Sequence, residues 1–137
     1  MASRTFVDTN VFVYLFDGDA PAKQSRARDI LGTGDTTFVV STQVLQEFYV
    51  TVTRKLATPL PALDAEAATR DLAAFEVVAP DARMVLRAIA LARKASFSLW
   101  DALIVEAADA AGCDRLLSED LQAGQVIGSV TVHNPFA

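Results

Sequence analysis

The sequence predicts an α/β protein with three layers, α/β/α, and a central, mainly parallel sheet of four to five short strands. Two observations carry that expectation. Short β-type runs alternate along the chain with longer stretches whose apolar residues recur at helical spacing, the pattern of a parallel sheet covered on both faces. Apolar residues make up 52% of the 137 residues and mean hydropathy is +0.29, so one domain over residues 1–137 can bury a large core.

Taken in order, Arg4 to Val7 reads as a buried first strand. Asn10 to Phe16 reads as a short helix ended by Asp17-Gly18-Asp19. Pro21 suits the first turn of a second helix, which runs to about Leu31 and stops at Gly32. Thr37 to Val40 is a second strand after the turn-forming Gly34-Asp35. Ser41 stands where an N-cap belongs, and Val44, Leu45, Phe48 and Val52 then form a helical apolar stripe. Thr58-Pro59-Leu60-Pro61 ends that segment. Asp64 opens a helix to about Phe75, Glu76 to Val78 makes a short strand, and Asp81 to Lys94 is helical. The helix from Ser98 to Gly112 is apolar on nearly every side, with Leu99, Trp100, Leu103, Ile104, Val105 and Ala108, and is expected to be buried. Arg115 to Leu117 and Val130 to Val132 are the last two strands.

Charge and cysteine usage narrow the function classes. Twelve basic and seventeen acidic residues give a net charge of −5, whereas passive nucleic-acid binders carry a basic excess to neutralise phosphates. An acidic protein can still act on nucleic acid where divalent cations bridge carboxylates to phosphate. The single cysteine, Cys113, excludes an internal disulfide and a Cys-rich zinc site and is expected to be buried packing. Met1-Ala2-Ser3-Arg4 leads straight into a strand without the pattern of a secretory signal. No apolar run reaches the roughly 18 residues of a membrane span. A cytoplasmic location is the expectation.

Four acids stand out by position. Asp8 ends the first strand, just before Thr9 and Asn10. In an open α/β sheet ligands sit outside the carboxyl ends of the strands, so an acid there faces the expected site. As a plain helix N-cap it would need no other role. Asp120 repeats that position after the Arg115–Leu117 strand, with Glu119 beside it as a second first-turn acid. Asp101 follows Ser98 at capping-box spacing. At about 100° per residue it lies about 140° from Glu106 and about 80° from Asp109, away from the solvated stripe those two predict. Glu47 lies about two turns into the helix leaving the second strand, beside the apolar stripe; a plain solvent-facing glutamate is the alternative. Gathered at one rim, the four carboxylates would repel one another unless cations were bound. Oxygen-only ligands suit Mg²⁺ or Mn²⁺ rather than zinc. His133, the only histidine, stands at the far end of the chain and is a weak ligand or base.

These residues carry a resemblance. Phe6-Val7-Asp8-Thr9-Asn10, Gln46-Glu47-Phe48, Ser98-Leu99-Trp100-Asp101-Ala102-Leu103-Ile104, Leu117-Ser118-Glu119-Asp120-Leu121 and the ending Asn134-Pro135-Phe136 are together similar to the acidic blocks of the PIN-domain ribonucleases. The chain most resembles the toxin half of VapBC-type (type II) toxin–antitoxin pairs, with the blocks in order over nearly its whole length. The resemblance implies an acidic pocket of Asp8, Glu47, Asp101 and Asp120, which are also its metal ligands, with Thr9, Asn10 and Ser118 as supporting polar groups. It favours Asp120 over Glu119. It implies Mg²⁺- or Mn²⁺-dependent hydrolysis of RNA phosphodiester bonds, a cognate antitoxin and a homodimer. Arg83, Arg87 and Lys94 fall within about 40° of each other on their helix and are candidate RNA contacts, against the plainer reading of a solvated face. Arg54 and Lys55 stand the same way.

Two other readings remain open on the residues alone. A haloacid-dehalogenase-like phosphatase would use Asp8 as nucleophile, but such enzymes normally carry a second aspartate two residues on, where this chain has Asn10. A non-catalytic RNA- or partner-binding module is the other, and the acidic balance argues against it.

Overall fold

In a computed structural model, which describes residues 3–137, twelve elements alternate much as the sequence predicts. They are β1 (Ser3–Val7), α1 (Thr9–Val13), α2 (Pro21–Leu31), β2 (Thr36–Ser41), α3 (Thr42–Arg54), α4 (Ala62–Leu72), β3 (Glu76–Val78), α5 (Ala82–Ala95), α6 (Leu99–Ala110), β4 (Arg115–Leu117), β5 (Val126–Ile127) and β6 (Val130–His133). The strands form one sheet in the order β3-β2-β1-β4-β6-β5. All pairings are parallel except β5 with β6. The architecture is the expected mixed α/β one, with a mostly parallel sheet flanked by helices.

Strand register explains why both faces of that sheet need cover. Phe6 is level with Val39 on one side and Leu116 on the other, and Leu116 with Val132; all four are fully buried. Val7 is level with Leu117 and Thr5 with Phe38, on the opposite face, and these too are removed from solvent. Side chains alternate faces along a strand. Two buried faces therefore require a helical layer on each.

Local chemistry sets the helix ends. Asp8, Ser41, Asp81 and Ser98 each cap the helix that follows by accepting a backbone N–H at their side-chain oxygen. Gly112, at φ +71°, turns the chain out of α6 towards β4 in a conformation that side chains other than glycine rarely adopt. Cys113 is buried beneath that turn, and burial pushes its thiol up to about 11.

The structure departs from the sequence reading in four places. The stretch expected as one helix from Asn10 to Phe16 is α1 followed by a 3₁₀ turn over Tyr14–Phe16. The helix expected to reach Phe75 ends at Leu72. A sixth strand, β5, pairs two residues between Gly124 and Gly128, too short to leave a periodic signal. Trp100, expected inside with the rest of α6, is 63% exposed. It sits on the first turn, at the end of a stripe whose next members, Leu103 and Ile104, are covered. Among the described residues no helix is long and apolar enough to cross a membrane.

Candidate active site

The strand order reverses at β1: the chain moves outward through β2 and β3, then returns to add β4 on the other side. Such a reversal opens a crevice beyond the carboxyl ends of the two strands flanking it. Asp8 directly follows the end of β1 and Ser118 the end of β4, and the Asp8 amide donates to the Leu117 carbonyl at 2.9 Å. Neighbouring strand ends thus bring together residues more than a hundred positions apart.

Asp8 is 6% exposed and held at both oxygens. Oδ1 accepts from the Thr9 amide at 2.7 Å and Oδ2 from the Ser118 hydroxyl at 2.9 Å. Burial is the largest influence on its carboxyl and raises the pKa; the two hydrogen bonds oppose this, while the charges of Asp120 and Glu47 add to it, and the result is about 6. The Ser118 Oγ also accepts from the amides of Asp120 at 3.2 Å and Leu121 at 3.4 Å. One buried hydroxyl therefore shapes the turn that presents Asp120 while bonding Asp8.

The helix acids reach the same crevice from α3 and α6. Glu47 accepts from the Thr9 hydroxyl at 2.9 Å through Oε2 and from Gln43 Nε2 at 2.9 Å through Oε1. Asp101 lies on the first turn of α6, its amide capped by the Ser98 hydroxyl at 3.0 Å. Asp120 is exposed and accepts from Asn10 Nδ2 at 3.1 Å. Its pKa is raised, first by partial burial and then by the negative charges of Asp101, Glu119 and Glu47. Asp8, Glu47, Asp101 and Asp120 all line one open cavity of about 420 Å³.

A match along most of the chain decides the family. The PIN domain family matches residues 5–126. This chain belongs to the PIN domain family. Comparison with curated protein sequences finds no match. Solved structures share the fold at low identity. A toxin–antitoxin complex from Klebsiella pneumoniae is 18% identical at a TM-score of 0.72, over 96% of this chain and 97% of that one. The sarcin-ricin loop cleaving toxin VapC20 of Mycobacterium tuberculosis is 21% identical at 0.67, over 85% and 91%. VapBC2 from Rickettsia felis, bound to a DNA fragment from its promoter, is 17% identical at 0.66, over 96% and 98%.

Not every residue singled out in the sequence reaches this PIN-domain crevice. Glu119 turns away: Tyr14 and Lys23 both bond its carboxylate, Lys23 Nζ at 2.6 Å. Burial alone would raise the Glu119 carboxyl, but those two hydrogen bonds and the Lys23 charge together hold it below its ordinary range. Arg83, Arg87 and Lys94 are exposed on α5 and line no part of the cavity; Arg87 instead pairs with Glu106 across the α5–α6 contact at 3.4 Å. Glu106, expected on a solvated stripe, is thereby an ion-pair partner. Lys55 does line the cavity, the one Lys, Arg or His side chain to do so among the described residues. His133 lines a different cavity beside α2. Sequence reasoning missed Gln43, which is buried and bonds Glu47; its place one helical turn before an acid was the available signal.

As a donor set the crevice suits a hard divalent ion. It offers carboxylate oxygens and no sulfur or imidazole; burial first, and the charges of neighbouring acids second, raise Asp8 and Asp120, and a bound cation relieves both costs. Among the described residues no three His, Cys, Asp or Glu side chains gather closely enough to hold an ion by themselves. Mg²⁺ does not demand that, since it keeps several waters and takes one or two carboxylates.

Proposed function

We propose that this PIN-domain protein, taken over residues 1–137 as one unit, is a Mg²⁺- or Mn²⁺-dependent endoribonuclease and the toxin of a type II toxin–antitoxin pair. One observation carries the reading: two strand-end aspartates and two helix acids, Asp8, Asp120, Glu47 and Asp101, face a single open cavity at the point where the strand order reverses. Carboxylates crowded in that way cost stability unless something positive lies among them.

In this reading Asp8, Glu47, Asp101 and Asp120 would hold the metal between them, one or two directly and the others through its retained waters. When bound, it would polarise the scissile phosphate, lower the pKa of water and offset charge on the leaving oxygen. The chain's own residues do the rest. Thr9 and Ser118 fix the rotamers of Glu47 and Asp8, and Asn10 restrains the exposed Asp120. A carboxylate beside the attacking water takes its proton. Lys55, at the rim, is placed to meet a backbone phosphate. The proposed partners are an RNA substrate, a cognate antitoxin and a second copy of this chain, in the cytoplasm. The fold shared with solved toxin–antitoxin complexes supports that assignment.

Expression with and without the neighbouring reading frame tests the proposal. Discrete cuts in total RNA should accumulate only when the chain is expressed alone. A second reading, an RNA- or partner-binding module with an idle pocket, draws on the lack of a three-residue ligand cluster among the described residues. RNA affinity that persists without cleavage in every Mg²⁺ or Mn²⁺ buffer would decide for that alternative.

A further inference from the structure

We propose that Gln43 is a positioning residue, whose single amide spans Glu47 and the backbone beside Asp101 and thereby sets the spacing of those two acids. The inference deepens the metal-dependent nuclease reading and rests on it. Gln43 lies on the first turn of α3, one turn before Glu47, and is 8% exposed. Its Nε2 donates to Glu47 Oε1 at 2.9 Å and to the carbonyl oxygen of Trp100 at 3.2 Å. Trp100 immediately precedes Asp101 on the first turn of α6. Thr9 holds the other Glu47 oxygen at 2.9 Å, so that carboxylate cannot rotate without breaking a bond at one end or the other.

The chemistry of the amide argues that this bridge is not ordinary packing. Both of its partners are acceptors, so the nitrogen, which carries two donors, must face them and the carbonyl oxygen must face away. Gln43 Oε1 is consequently buried with no hydrogen-bond partner among the described residues. That is a stability cost which an apolar side chain of similar volume would avoid. Glu47 is half-buried, so water can replace the amide at its carboxylate, and the Trp100 carbonyl lies inside α6, where the helical ladder supplies it a donor without Gln43. Gln43 therefore contributes little to folding that leucine could not. What leucine could not supply is the link between one acid on α3 and another on α6, neither of which is covalently near the other.

Mn²⁺ binding to the metal-stripped protein, followed by the electron paramagnetic resonance signal of the free ion, reads the site without reference to cleavage. Gln43→Leu should fold with an unchanged or higher Tm, bind Mn²⁺ about ten-fold or more weakly than wild type, and cleave RNA more slowly, as loss of an outer-shell partner does elsewhere. Thr9→Val releases the other oxygen of the same carboxylate. The double variant should therefore lose less Mn²⁺ affinity than the two single losses multiplied together. Wild-type Mn²⁺ affinity in Gln43→Leu, a lowered Tm that accounts for its loss, or single losses that simply multiply would each overturn the positioning role while leaving the nuclease reading standing. If Gln43→Leu does not fold, Gln43→Met supplies the same comparison. Failure of the wild-type protein to bind Mn²⁺ overturns both.

Discussion

The Ser118 hydroxyl lies 2.9 Å from Oδ2 of Asp8, and both side chains are shut away from solvent at the ends of adjacent parallel strands. With the Thr9 amide, that hydroxyl offsets part of the cost of burying Asp8, and it accepts in turn from two amides of the Asp120 turn. Ser118→Ala should lower stability at pH 7.5 by about 1–3 kcal/mol, the usual cost of leaving a buried group unsatisfied. Urea melts would measure it. The loss should shrink at pH 4.5, where Asp8 is largely protonated and less dependent on a donor.

Asp8 also sets the sign of the pH dependence. Its carboxyl has a pKa of about 6 in the fold against an ordinary 3.8, so the folded state binds this proton more tightly. The contribution to stability is therefore most favourable below the ordinary value and is lost as pH rises through about 6. Across that window the difference amounts to about 3 kcal/mol. Asp120 shifts in the same direction. Asp8→Asn should consequently raise Tm at pH 7.5 in EDTA, with the gap to wild type narrowing at pH 4.5. Calorimetry at the two pH values checks this, and an Asp8→Asn protein less stable than wild type at pH 7.5 would contradict it.

The nuclease proposal predicts that stability and activity part company at the acids. Asp8→Asn and Asp101→Asn should each reduce RNA cleavage to below about one hundredth of wild type, within the range that a reacting group contributes, with circular dichroism unchanged. Either variant cutting at the normal rate removes that residue from the mechanism.

Adjacent acids should behave differently. Glu119 is engaged by Lys23 and Tyr14, outside the cavity, whereas Asp120 lines it. Glu119→Gln should keep wild-type cleavage and Asp120→Asn should lose it. Single-turnover assays on one RNA substrate distinguish the two.

Removing the cation is the last prediction. EDTA should stop cleavage, and added Mn²⁺ should restore it. The same ion should raise the Tm of wild type, because a ligand bound only by the folded state stabilises it by mass action. The rise should be smaller in Asp8→Asn, which has one negative charge fewer to neutralise.

Much of this was legible beforehand because it is local. Capping by Asp8, Ser41 and Ser98, the halt at Gly112, and the apolar strands each depend on residues a few positions apart, and the amino-acid order by itself determined them. It also placed Asp8 and Asp120 each just past a strand end. What the order left open needed distances through space. Glu119 and Asp120 are neighbours of like charge, and only the reach of Lys23 and Tyr14 separates their surroundings. Arg87 looked available until α6 brought Glu106 beside it. Gln43 carries no motif, and its bridge exists only because α3 and the start of α6 meet. Hydrogen bonds and Coulomb forces between side chains act over a few ångströms, whatever the separation along the chain, so the tertiary structure alone decided which polar groups share one space.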